Sequence, residues 1–486
     1  MPSSQKPHRV LKIFTLAMLN VSIMLSLRSL PVVAQLGLSS IFYFSIVGLV
    51  FLLPCALVSA ELATGWPKSG GIYIWVREAF GDRLGFFSIW MQWIHNVAWY
   101  PVILSFIAAT IAYVTFPELT ENKLFVIGVI LVSFWGMTLL NMLGIRFSSR
   151  LSSIGVIAGT ILPGLFIIVL GCIWIRTNTS IDTPFRNPEL THKFGSLDSL
   201  VFLSGLFLAF SGLEVSASLA GEVQKPQKSY PKAIALAACI TFILLVVGGI
   251  MISYVIPPAQ MSLVSGVVEA MDQFLAAFHL EPLKPFIGVL LAVGALAEVN
   301  SWLISPVKGL HATSLHGNLP PSLQKLNDHG TPTRLLLLQG AIVTVTSFVF
   351  LFMPTTSGAF WILTILSAQS YLIMYLVMFM AAIALRYIKP KVKRVYKVPF
   401  GNVGMWLCGI FGILACLFAI SLGFVPPSDL EVGSTTFYKL FLAGGLLFMC
   451  LIPFCIYHFK KPSWYLSLAR AHEEKRRNDG SNSSSK

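Results

Sequence analysis

Charge is scarce in this chain. Only 11% of its 486 residues are Asp, Glu, Lys or Arg, while 56% are hydrophobic; an ordinary soluble protein carries about 25% charge. That scarcity excludes a conventional soluble fold. The seven cysteines form no Cys-x-x-Cys pair and lie inside apolar stretches, so neither a disulfide framework nor a thiolate metal site is expected, and they read as packing residues. No His, Asp or Glu group has metal-ligand spacing, and His311, His316 and His329 are scattered, which argues against a membrane-embedded metalloenzyme. Gly70-Gly71 lies in no GxxxxGK[ST] frame, which excludes a phosphate cradle. The basic N-terminus precedes a long apolar run with no small-residue cleavage site, so no cleaved signal peptide is predicted. The net charge of +14 comes from short clusters between apolar runs. Nucleic acid is therefore not an expected partner; the lipid bilayer is.

What is abundant is apolar length. Runs able to cross a hydrocarbon core of about 30 Å begin near Ile13, Ser40, Leu84, Leu124, Ser152, Leu200, Ala233, Pro285, Leu335, Gly358, Met405 and Phe437. The prediction is an all-α, polytopic membrane protein of about twelve transmembrane helices. Lys and Arg concentrate on alternate connections, which predicts cytoplasmic N- and C-termini.

The longest outer connection of the first half divides the chain into blocks. The expected organisation is a cytoplasmic N-terminus (1–12), five helices (13–176), an extracytoplasmic loop (177–198), five more helices (199–388), two further helices (389–459) and a disordered cytoplasmic tail (460–486). Because five is odd, the two blocks insert with opposite orientation, the inverted-repeat arrangement in which discontinuous helices build a midplane site.

Two interruptions fall at matching places. In the sixth segment, Phe210-Ser211-Gly212-Leu213-Glu214 puts a flexible glycine and a carboxylate near mid-membrane. A central carboxylate costs about 2.5–3.5 kcal/mol on insertion scales and marks a functional site by default. In the first segment, 14–37, Pro31 removes an N–H and is predicted to push Leu30 out of the α region, just after Ser26, Arg28 and Ser29. Arg28 is too deep to snorkel easily. It needs an anion: Glu214, Glu298 or a substrate carboxylate.

Other polar residues lie at depth. The third segment carries Gln92, His95 and Asn96, which could face a wet cavity, and the tenth carries Ser367, Gln369, Ser370, Tyr371 and Tyr375. In the eighth, Glu298, Ser301 and Ser305 can share one helical face. A satisfied internal carboxylate remains the structural alternative for both Glu214 and Glu298. The basic run 386–397 is read as an orientation signal attracted to anionic lipid.

Four phrases give the chain a family likeness: AELATGWPKSGGIYIWV after the second segment, FSGLEVSASLAGEVQKPQKSYPKA across the sixth, LAEVNSWLISPVKGL in the eighth and GFVPPSDLEVGST before the twelfth. They resemble the amino acid–polyamine–organocation superfamily, and within it the bacterial glutamate/GABA antiporter family, over residues 11–460. The resemblance implies a leucine-transporter-type 5+5 inverted repeat, broken helices 1 and 6, and exchange by alternating access in a bacterial inner (plasma) membrane. It also implies amino acid substrates and no cofactor, with Glu214 and Glu298 matching the family's helix 6 and helix 8 carboxylates. Where the superfamily often has a Gly-Ser-Gly-like run, this chain has Met24-Leu25-Ser26.

The expected substrate-binding set is Ser26, Arg28, Ser29, Phe210, Ser211, Gly212, Glu214, Glu298 and Ser301, with Glu61, Gly70 and Gly71 as gating residues. The expected activity is exchange of glutamate or a related amino acid for GABA or another amine, by a monomer or homodimer. A proton- or sodium-coupled symporter is the alternative, although residues 152–175 contain no lysine to relay a proton. A nutrient sensor on the same scaffold would bind ligand without flux.

Overall fold

The computed structural model describes residues 12–68, 70–177, 197–217, 223–257, 260–428 and 430–465. The N-terminal 1–11, the predicted outer loop over 178–196 and the predicted disordered tail over 466–486 lie outside those residues. In chain order the helices are α1 (Ile13–Met24), α2 (Leu30–Gln35), α3 (Ser39–Val47), α4 (Leu53–Gly65), α5 (Ile72–Phe80), α6 (Asp82–Ile94), α7 (Asn96–Thr115), α8 (Lys123–Asn141), α9 (Ile145–Val156) and α10 (Leu162–Thr177). The second half continues with α11 (Leu197–Ala209), α12 (Pro226–Ser253), α13 (Gly266–Ala277), α14 (Lys284–Ala312), α15 (Thr333–Ser347), α16 (Val349–Phe352), α17 (Thr356–Ile388), α18 (Gly401–Leu422) and α19 (Thr435–His458). Among the described residues no β-strand forms.

Among the described residues, eleven helical stretches are long and apolar enough to cross a membrane. The twelfth predicted crossing is different: among the described residues the sixth segment forms α11, whose apolar stretch Leu200–Ala209 is shorter than a membrane crossing, before the helix breaks. The fold is thus all-helical and many-spanning, as expected, since a helix bonds its backbone within its own segment and leaves no polar group to the lipid.

Two long helices run through the interior. On α17, most side chains from Ala359 to Leu385 are buried, and the helix touches α5, α6, α7, α11, α18 and α19. On the other side, α14 packs against α1, α6, α7, α8 and α9. Its contact with the α9–α10 stretch is backbone to backbone: a Cβ on Gly159 would sit 2.2 Å from the Gly294 nitrogen, so both positions require glycine. Helices α18 and α19 flank α17 and leave Trp406, Phe411, Leu414, Leu440 and Phe448 exposed, the apolar shell a bilayer requires. Of the cysteines read as packing residues, Cys172, Cys239 and Cys455 lie on the exposed face instead.

The first helix breaks earlier than its proline. α1 ends at Met24, Leu25 and Ser26 are extended, and a 3-10 turn Leu27–Ser29 leads into α2. Leu30 is fully helical (φ −59°, ψ −39°) and Pro31 occupies the first turn of α2. The expectation that Pro31 displaces Leu30 from the α region is corrected: at a helix start its missing N–H needs no partner, so it begins the second half rather than ending the first. The sixth segment breaks at its glycine as predicted. α11 stops at Ala209, and Gly212 adopts φ +113°, a backbone that glycine reaches without penalty. The two breaks touch, because a Cβ on Gly212 would lie 2.6 Å from Ile23 Cγ2.

Candidate transport site

Once α11 has ended, Glu214 is carried into the interior with only 1% of its surface exposed. Its carboxylate accepts hydrogen bonds from the hydroxyls of Tyr371 and Tyr375, one turn apart on α17, and from Gln92 Nε2 on α6 at 3.0 Å. The Tyr375 hydroxyl also accepts from the Gly212 N–H at 2.7 Å. One oxygen therefore joins the opened backbone to the carboxylate. Every donor to Glu214 among these is neutral, so its lone pairs are satisfied while any charge on it is not neutralised.

Aromatic rings close the same region. His95, at the junction of α6 and α7, stacks on Tyr371 with centroids 4.0 Å apart and meets Ser367 Oγ through Nδ1 at 3.1 Å. Trp302 of α14 packs edge-on against both His95 and Tyr371. Its indole N–H donates to the Ile23 carbonyl at 3.0 Å, one of the carbonyls freed where α1 stops.

Ser301, one residue earlier, enters a different network. Its hydroxyl lies 3.0 Å from Ser22 Oγ and 2.8 Å from Ser152 Oγ, and donates to the Ala297 carbonyl at 3.0 Å. Asn300 Nδ2 donates to Ser152 Oγ at 2.7 Å, and Asn300 Oδ1 accepts from Asn141 Nδ2 at 2.8 Å. This chain of small polar groups ties α1 to α8, α9 and α14. Ser22, Ser152 and Asn141 were not singled out in the sequence, because isolated Ser and Asn in apolar segments carry no pattern; Asn300, beside Glu298, was the nearest signal.

Arg28, Ser29, Ser26 and Glu298 are brought to the neighbouring break. Arg28 is 5% exposed, with its guanidinium carbon 5.5 Å from the Trp99 ring centroid and 5.8 Å from that of Phe360. With Ser29, Gly205 and Thr364 it borders a cavity of about 10 Å³. Ser26 and Glu298 border a second cavity of about 10 Å³. Each is room for about one water, so the surroundings of both breaks are closed.

Two expected binding residues face elsewhere. Phe210 packs against Phe44 and Phe242, and the Ser211 hydroxyl donates to the Phe207 carbonyl at 2.7 Å within the last turn of α11. Both are engaged in holding the helix end.

The expected gating residues form their own cluster. Glu61, 1% exposed near the end of α4, pairs with Arg386 Nη2 at 2.6 Å and Arg394 Nε at 3.3 Å, and accepts from the Val398 N–H at 2.7 Å. Arg394 also donates to the Leu385 and Lys389 carbonyls. The basic run is thus not wholly a surface signal: Lys389, Lys391, Lys393 and Lys397 are exposed, but Arg394 is buried. Gly70 (φ +119°) and Gly71 (φ +47°) immediately precede α5, in conformations that favour glycine.

Similarity to known proteins matches this construction. The amino acid permease family model covers residues 11–448. An uncharacterized transporter of Legionella pneumophila is 43% identical over 92% of this chain and 96% of its own length. A glutamate/gamma-aminobutyrate antiporter of Lactococcus lactis subsp. lactis is 31% identical over 92% of this chain and 90% of its own. A probable agmatine/putrescine antiporter of the same organism is 23% identical over 86% and 88%. Eleven membrane-length helices among the described residues, two touching helix breaks and a family match spanning nearly the whole chain lead to one assignment: the chain belongs to the amino acid permease family of membrane transporters.

Proposed function

We propose that the protein is an antiporter exchanging glutamate or a related amino acid for GABA or another amine by alternating access. The observation that carries this reading is Glu214, an uncompensated carboxylate at the touching breaks of two helices, in a chain with near full-length likeness to a glutamate/gamma-aminobutyrate antiporter. Glu214 and the freed carbonyls beside it attract an ammonium group, and the closed surroundings describe an occluded stage of the cycle. Trp302 leaves the Ile23 carbonyl when a ligand ammonium takes its place.

We read 13–176 and 199–388 as the two inverted five-helix blocks and, from the basic clusters, assign both termini to the cytoplasmic side of a bacterial inner membrane. Glu61, Gly70 and Gly71 then lie at the inner gate, which opens only if the Glu61 cluster moves as a unit.

Ion-coupled symport is less well supported. The hydroxyls of Ser22, Ser152 and Ser301 and the Ala297 carbonyl make an oxygen-rich cluster at the first break, but their separations of 2.8–3.3 Å are those of hydrogen bonds among themselves. They satisfy one another without an ion.

The test is uptake of labelled glutamate into proteoliposomes loaded with GABA, glutamate or buffer. Exchange predicts flux only with internal substrate. Equal uptake into buffer-loaded vesicles under a sodium or proton gradient would replace antiport with symport.

A further inference from the structure

Arg28 is a buried cation that the protein does not satisfy. Its five N–H groups make no hydrogen bond to any described residue, and Nε is fully enclosed without a partner. Glu298, the expected counter-charge, forms no ion pair with it within 4 Å. The nearby Thr364 hydroxyl donates to its own helix at Phe360, 2.7 Å away. The Trp99 and Phe360 rings hold the planar group, which fixes its place without using its donors. A guanidinium held this way is a preformed fork for a carboxylate.

Its position selects which carboxylate. Arg28 borders its cavity together with Phe360 and Thr364 of α17, whereas Glu214 accepts from Tyr371 and Tyr375 further along the same helix; Thr364 and Tyr371 lie two turns apart, about 10 Å at the helical rise. The two groups therefore draw an anion and a cation to separate levels of α17. An α-carboxylate and an α-ammonium share one carbon and cannot divide in this way. A carboxylate three carbons from the amine can, and glutamate keeps that spacing when loss of its α-carboxylate converts it to GABA.

We propose that Arg28 binds the distal carboxylate shared by an acidic amino acid and its decarboxylated product, while Glu214 and its tyrosines receive the ammonium. Arg28 thereby selects ω-carboxylated amines over plain amines and over amides such as glutamine. This assignment rests on the antiport reading but is tested separately from it.

The experiment measures binding of GABA, n-butylamine, glutamate and glutamine to purified wild type, Arg28→Gln and Arg28→Lys by ligand-induced thermal shift, beside glutamate/GABA exchange by the wild type. Wild type is expected to prefer GABA over n-butylamine, and glutamate over glutamine, by at least about tenfold, the worth of a charged hydrogen-bond pair. Arg28→Gln is expected to abolish both preferences and Arg28→Lys to reduce them several-fold. Wild-type preferences retained in Arg28→Gln, or in Arg28→Lys if the first variant does not fold, would overturn the assignment. So would a wild type that does not distinguish GABA from n-butylamine. Absence of exchange in a wild type that keeps an Arg28-dependent preference removes the antiport reading and leaves Arg28 as the anion site.

Discussion

Glu61 and Glu214 are equally buried, each 1% exposed, yet they are opposite kinds of site. Around Glu61 stand two guanidinium groups and a backbone N–H, so its charge is matched and α4 is bound to the end of α17 and the following loop. Around Glu214 stand two phenols and an amide, so its hydrogen bonds are met and its charge is not. Burial alone does not mark a transport residue. The chemical type of the partners does, because a paired charge resists change and an unpaired one responds to a ligand.

The largest effect that sharpens this contrast is at Glu61. Glu61→Gln leaves Arg386 and Arg394 without their anion in a buried place and is expected to destabilise by about 3–5 kcal/mol, read as a fall in melting temperature and yield. An unchanged melting temperature would mean the cluster does not hold the fold. Gly212→Ala comes next. Its Cβ would meet Ile23 Cγ2 at 2.6 Å from a backbone at φ +113°, and strain of this kind costs about 1–3 kcal/mol. Because Tyr375 is bonded to the Gly212 N–H, the same change should also lower transport more than it lowers stability.

At the unpaired carboxylate the size of the stability effect differs. Glu214→Gln removes a buried charge that no cation balances, so folding should change by less than about 1 kcal/mol while exchange falls at least tenfold, roughly the worth of one charged hydrogen bond. Tyr375→Phe, which removes one donor to Glu214 and the acceptor for Gly212, should cost about 1–3 kcal/mol. A Glu214→Gln protein as unstable as Glu61→Gln would erase the distinction between the two sites.

Much of this was legible in the sequence. Apolar length gave the helical, many-spanning architecture, and a glycine beside a carboxylate located the second break, since both features are costly in lipid and stand out against it. Gln92, His95, Tyr371 and Tyr375 could be identified as deep polar residues, but not that Gln92 and the two tyrosines bond Glu214 while His95 stacks on Tyr371, because their segments are far apart in the chain. Pro31 misled for a local reason: proline breaks a helix interior and begins a helix end, and only the backbone tells which. The basic run hid Arg386 and Arg394 in the same way, since a charge pattern does not reveal which arginine turns inward.

Glu269 extends the comparison outside the membrane-length helices, with the smallest expected effect. It lies on α13, partly buried, and accepts a hydrogen bond from Ser265. Burial raises its carboxyl above the usual range, and the Ser265 bond only partly opposes this. The folded state therefore binds this proton more readily than the unfolded one, so the contribution to stability is best at low pH and is lost as pH rises through the raised value. Glu269→Gln keeps a neutral side chain at every pH. Hydrogen exchange across 266–277 should be slower in the variant than in the wild type at pH 7.5 and the same in both at pH 4.5. Faster exchange in the variant at pH 7.5 would show that the Ser265 bond outweighs burial, and would put Glu269 with Glu61, as a carboxylate the fold prefers to keep charged.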